Sequence, residues 1–139
     1  MSKKAYELFT DLDHWQGILD RRQDIFSGIL DESRIGIMPK AAVASQEGKV
    51  LVWEAEAGRM AAKCKPFTGF RNADVDILFV AEEEVLDNLY NDGEINRIKE
   101  QIRLGAVLFY SLKTKNDLLD LGYEGFLDTL GLAFMGACR

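Results

Sequence analysis

The sequence predicts an α+β fold: an antiparallel meander sheet of about five strands covered by helices, with an N-terminal helix or helix pair ahead of it and a closing C-terminal helix behind. Three observations predict it. Apolar residues recur at helical spacing up to about residue 30, alternate with the strand period between about residues 35 and 80, and return to helical spacing afterwards. Glycine-centred turns mark most junctions of the middle region. The 139 residues match the length of one domain, and such a chain buries about two-thirds of the surface it exposes unfolded.

In the opening segment, Tyr6, Phe9 and Leu12 repeat at spacing three. Ile18, Leu19, Ile25, Phe26, Ile29 and Leu30 then fall on one helical face. Gly17 is the expected break between two helices. From Arg34 the period changes, and Ile35, Ile37 and Pro39 read as a short strand at a sheet edge, where proline is tolerated. Gln46–Lys49 is a turn, followed by a strand whose apolar side is carried by Leu51 and Trp53. Ala57-Gly58 is a second turn. In the next strand Met60, Ala62 and Cys64 face one way and Arg59, Ala61, Lys63 and Lys65 the other. Pro66 ends it, a loop with Phe67 and Phe70 follows, and residues 74–80 form a strand with Val75, Ile77 and Phe79 on one side.

Glu82, Glu83 and Glu84 suit the positive end of a helix dipole. Val85, Leu86, Leu89 and Tyr90 give that helix its apolar face, and Asn91-Asp92-Gly93 stops it. Ile95, Ile98 and Ile102 mark another amphipathic helix. Residues 104–112 form a short apolar run that reads equally as strand or buried helix. Asn116 or Asp117 is the expected N-cap of a terminal helix continuing through Leu118, Leu119, Leu121, Phe126, Leu127, Leu130 and Phe134, weakened by Gly122, Gly125 and Gly131.

Composition bounds the function. The hydrophobic share is 47% and the charged share 29%, with a net charge of −6. That acidity disfavours nucleic acid, and Arg59, Lys63, Lys65 and Arg71 read as a solvated strand edge. There is no signal-peptide core and no apolar run long enough for an integral membrane segment. Cys64 and Cys138 are too few for a disulfide scaffold, so a cytoplasmic setting is expected.

Few side chains point to catalysis or cofactors. Asp11, Asp13 and His14 hold one helix end, but only Asp11 and His14 share a face, and two ligands make no metal site. Cys64 between Lys63 and Lys65 is a candidate nucleophile only if exposed, and its strand face argues for burial. The glycines of 122–136 lack the strand and Lys-Ser/Thr pattern of a phosphate loop. The expectation is no catalytic residue, no metal and no cofactor. What stands out is an aromatic set: Trp53, Phe67, Phe70, Phe79, Phe109, Tyr110, Phe126 and Phe134. Such a set reads as core, or as the wall of an apolar cavity.

Ala73-Asp74-Val75-Asp76-Ile77, then Ala81-Glu82-Glu83-Glu84-Val85-Leu86, then Leu112-Lys113-Thr114-Lys115-Asn116-Asp117-Leu118-Leu119 occur in an order that resembles the sterol-carrier-protein type of lipid-binding domain, over about residues 48–134. The chain departs from that pattern at Asn116, where the family carries glycine, and in a longer 94–110 segment. The resemblance implies a five-stranded sheet with an apolar tunnel beside the terminal helix, lined by Phe79, Leu112, Leu119, Phe126, Leu130 and Phe134. It also implies non-catalytic binding of an acyl or sterol-like ligand. The second reading is an accessory subunit that pairs with itself or with a protein partner, through the terminal helix or the strand Arg34 to Met38.

Overall fold

The computed structural model describes residues 9–45, 49–67, 69 and 74–130. Helix α1 (Leu12–Arg21) is capped by Asp11, whose carboxylate accepts from the His14 backbone N–H, and it buries Trp15, Ile18 and Leu19 at helical spacing. Gly17 does not break it. That glycine lies on the exposed side, and the helix ends instead at Arg22, after which Gln23–Phe26 forms a 3-10 turn. Next come β1 (Arg34–Pro39), α2 (Lys40–Ser45), β2 (Lys49–Glu56), β3 (Arg59–Pro66), β4 (Ile77–Ala81) and α3 (Glu83–Asp92). A 3-10 turn over Ile95–Arg97 runs into α4 (Ile98–Arg103), followed by β5 (Val107–Ser111), α5 (Lys115–Asp120) and α6 (Glu124–Thr129).

The α+β architecture is the expected one. The five-stranded sheet has the order β3-β2-β1-β4-β5. Its pairs are antiparallel except one, since the central strand β1 and its neighbour β4 run parallel from Ile35↔Ile77 to Pro39↔Ala81. The ambiguous 104–112 run contains an edge strand. The strand from Arg34 is not at an edge but in the centre. Its proline is tolerated because Pro39 is the last residue of β1, where the chain turns directly into α2. Helix α2 was not expected. It places Ala42 and Val43 against the sheet.

Register sorts the side chains into two faces. Ile35, Ile37, Leu51, Trp53, Met60, Ile77, Phe79 and Val107 belong to one cluster with the buried residues of α1, α3, α4 and α6. The opposite face carries Met38, Val50, Val52, Leu78 and Val80, joined by Ala42, Phe67 and Val75. Val75 therefore lies opposite Ile77 and Phe79, contrary to the expected alternation. Asp74 adopts φ +55° and β4 begins only at Ile77, so the period of two does not extend back to Val75.

The β2–β3 hairpin is fixed at its turn and along its free edge. Ala57 and Gly58 both take positive φ (52° and 83°), as a two-residue type I′ turn requires, and the Gly58 N–H donates to Asp31. The free edge of β3 is covered by amides from the N-terminal segment. Gln16 accepts from the Ala62 N–H at 2.9 Å and donates to the Met60 carbonyl at 3.0 Å, while Gln23 accepts from the Met60 N–H at 2.9 Å.

The terminal helix is not continuous. It divides into α5 and α6 at Gly122, whose φ is +86°. Its cap is Thr114, which accepts from the Asp117 N–H at 3.1 Å, rather than Asn116 or Asp117. The α5–α6 turn lies against the backbone of residues 28–30. A Cβ on Gly122 would come within 1.9 Å of the Gly28 carbonyl oxygen, and the Leu30 N–H donates to the Leu121 carbonyl at 2.9 Å. The expected turn at 46–48, most of the 68–73 loop, and Tyr6, Gly131, Phe134 and Cys138 fall outside the described residues.

Gly36, in mid-β1, gives the first prediction. A Cβ there would meet Leu78, Val50 and Val75 side chains at 3.0, 3.1 and 3.3 Å. Gly36→Ala is expected to lower unfolding stability by about 1–2 kcal/mol in urea titration, because the overpacking outweighs the smaller entropic gain from alanine.

Candidate functional site

Trp53, Phe79 and the rings facing them form the densest aromatic region. β2 and β4 project Trp53 and Phe79 to the helix-covered face. The 3-10 turn supplies Phe26 and α6 supplies Phe126. Phe26 packs edge-on to Trp53 at 5.8 Å and stacks on Phe126 at 5.2 Å. Phe126 meets Phe79 edge-on at 6.4 Å, and Phe79 meets Phe109 of β5 at 5.7 Å. Trp53, Phe79 and Phe126 are almost wholly inaccessible to solvent. Three buried side-chain polar atoms have no hydrogen-bond partner among the described residues, Ser33 Oγ, Arg34 Nε and the Trp53 indole N–H, and of these the indole is the one that packs among the rings. A buried donor left unpaired costs about 1–3 kcal/mol.

A buried polar contact fixes α6 over these rings. The Tyr123 hydroxyl, one residue before α6, donates to Asp76 at 2.9 Å, and the same carboxylate oxygen accepts from the Arg34 N–H at 2.9 Å. Burial, followed by the neighbouring Asp76 charge, pushes the phenol far above its ordinary range, so Tyr123 stays a donor. These residues are 47 apart in sequence, and no local pattern links them.

Of the six lining residues implied by the resemblance, Phe79, Phe126 and Leu130 come together in the helix-side cluster. Leu112 packs with the cluster on the other face, and Leu119 is exposed. Phe134 lies outside the described residues. Phe26 was missed as part of this group. Its helical spacing marked it as core, but nothing in that spacing tied it to Phe126. Of the remaining aromatic set, Phe67 sits on the opposite face and Tyr110 is exposed.

Other candidate groups have structural partners. His14 stacks on Tyr90 at 4.0 Å and donates through Nε2 to the Tyr90 carbonyl at 2.6 Å, while the Tyr90 hydroxyl donates to Asp11 at 2.5 Å. Together these join α1 to α3. Cys64 is half-buried with the helix-side cluster, and burial pushes its thiol up, which disfavours a nucleophilic thiolate. Arg59 pairs with Asp20, and Lys63 with Glu54 and Glu56, so much of the basic strand edge is neutralised.

Two clefts are polar. One of about 410 Å³ is lined by Glu32, Arg34, Asp74, Val75, Asp76, Leu112 and Lys113. The other, of about 270 Å³, lies between α3 and α4. No helix among the described residues is long and apolar enough to cross a membrane.

Two solved structures resemble the chain. The crystal structure of sterol carrier protein 2 aligns over 94% of each chain at 12% identity with a TM-score of 0.47. A conserved hypothetical protein of Thermus thermophilus, described as a candidate sterol carrier protein, aligns over 88% of this chain and 85% of that one, at 12% identity and a TM-score of 0.43. No family model and no curated protein matches. Both likenesses are weak, and the functional reading rests on residues instead.

The Arg34–Glu54–Lys63 group yields a pH prediction. Glu54 is buried, which by itself would raise its pKa, but the Lys63 hydrogen bond and the Arg34 and Lys63 charges outweigh burial and hold the carboxyl below its usual range. Its contribution to stability is therefore present above the unfolded carboxylate pKa of about 4.3 and is lost as pH falls through the lower folded value. Denaturation midpoints measured from neutral to acid pH should fall less steeply in Glu54→Gln than in the parent chain.

Proposed function

We propose that the chain binds a small apolar ligand without catalysis, inside the layer between the sheet and the closing helices α5 and α6. The observation that carries this reading is the orphaned Trp53 indole N–H, buried one ring away from the Phe26–Phe126 stack. An interior of hydrocarbon alone leaves that donor unpaired. An apolar molecule bearing one acceptor oxygen, such as an acyl chain with its carboxyl or ester group or a sterol-like alcohol, would satisfy it while burying its hydrocarbon against the rings.

Phe79, Phe126 and Leu130 are the proposed wall, with Trp53 as the polar contact. Leu119, at the exposed side of α5, is the proposed outer residue, and Phe134 is kept as a lining residue on the resemblance alone. Leu112 belongs to the same ligand only if the tail passes the end of β5, since it packs on the other face. Each methylene buried contributes about 0.8 kcal/mol, so a tail of modest length reaches micromolar affinity.

The test is native mass spectrometry of freshly purified protein, followed by organic extraction and identification of what is released. The expected result is an adduct lost on extraction and restored by a fatty acid or sterol, with weaker rebinding in Trp53→Phe and Phe126→Ala. A chain of bare sequence mass that takes up neither ligand class would overturn the proposal.

A further inference from the structure

Leu104, Leu108 and Tyr110 are 76%, 39% and 39% exposed. Of the large apolar side chains left exposed among the described residues, only Leu30 and Leu119 lie elsewhere. The register explains two of the three. Leu108 pairs with Val80 and Tyr110 with Leu78, so both stand on the face of the second apolar cluster, while Val107 and Phe109 turn toward the helix-side core. β5 is the last strand of the sheet, so this apolar face runs out to an exposed edge.

Charge singles out the same segment. Residues 99–115 contain Lys99, Arg103, Lys113 and Lys115 against Glu100 alone, a net +3 in a chain of −6, which leaves −9 on the remainder. Arg103, Lys113 and Lys115 are exposed and Lys99 is half-buried. At the Leu104–Gly105 turn, Lys40 donates to the Gly105 carbonyl at 3.3 Å while paired with Glu82.

We propose that this β5 end docks on an anionic lipid surface, with Leu104, Leu108 and Tyr110 entering the headgroup boundary and Arg103, Lys113 and Lys115 meeting lipid phosphates and carboxylates. Apolar residues flanked by Lys and Arg are the composition such a surface takes up, because the basic side chains keep their charges at headgroup level. The −9 on the remainder, apart from Glu32, Asp74 and Asp76, which share a cleft with Lys113, repels other faces from the same surface and orients the molecule. Charge argues against a second copy as the occupant, because edge-to-edge pairing would set +3 against +3. The docking stands on exposure and charge alone and requires no bound ligand.

Co-sedimentation with phosphatidylcholine vesicles, with and without about one-third phosphatidylserine, tests it on the full chain. The expected result is pelleting only with the anionic vesicles, reversed by salt as the screening length shortens. Arg103→Gln should weaken binding about fivefold. Leu104→Asp, at a turn position too exposed to affect folding, should abolish it, while Leu30→Asp leaves it unchanged. Three results would each overturn the proposal: no pelleting at low salt, equal losses for Leu30→Asp and Leu104→Asp, or vesicle-independent self-association that Leu108→Asp removes.

Discussion

Strand β1 is the constraint on which the rest of the structure depends. It is paired on both sides, antiparallel to β2 and parallel to β4, and both of its faces are covered. Ile35 and Ile37 must meet the helix layer while Gly36 and Met38 meet the second cluster. Gly36 leaves little room, because the Val50, Val75 and Leu78 side chains would meet a Cβ there at 3.0–3.3 Å. A slip of one residue would exchange the two sets of side chains and place the bulk of isoleucine where even a Cβ is crowded. The register of β2 and β4 follows from that requirement, and so do the positions of Trp53 and Phe79.

From this frame the candidate site is assembled by long-range contacts. Asp76, just before β4, takes a hydrogen bond from the Arg34 N–H at the start of β1 and another from the Tyr123 hydroxyl ahead of α6. The Gly28–Gly122 approach holds the α5–α6 turn against the segment after the 3-10 turn. These two attachments bring Phe126 onto Phe26 and Phe79 and enclose the Trp53 indole. The polar contact is buried and satisfied, so it costs little and specifies the position of α6. The Trp53 indole donor has no such partner, and that contrast supports a guest with an acceptor oxygen.

Much of the fold was legible in sequence where the signal is local. Ile18 and Leu19 on the buried stripe of α1, the Ala57-Gly58 hairpin, the Met60–Ala62–Cys64 face and the stop at Gly93 all follow from short-range periodicity or turn chemistry, although Trp15 of the same stripe was not named from the sequence. What escaped was set by distant partners. The parallel β1–β4 pair leaves no mark in either strand's own pattern, and Pro39 pointed to an edge because its place at the end of a strand is visible only once α2 is known. The glycines of the terminal segment marked weakness in a helix but not which one would turn it. Gly122 does so because the Gly28 carbonyl occupies the space of its missing Cβ. In the candidate site, Phe79, Phe126 and Leu130 were named together through a family resemblance, whereas Phe26 and the Asp76–Tyr123 contact needed the tertiary structure.

The indole resonances offer the most direct measurement of the central claim. The chain has two tryptophans, Trp15 and Trp53, so a 15N-labelled sample gives two indole N–H signals, which substitution of either residue assigns. Spectra of the delipidated protein would be compared with those after addition of a fatty acid. The account predicts that the Trp53 N–H moves downfield and exchanges more slowly with solvent as it gains an acceptor, while the Trp15 signal stays in place. A Trp53 signal unchanged at saturating fatty acid, or one that moves no more than that of Trp15, would contradict it.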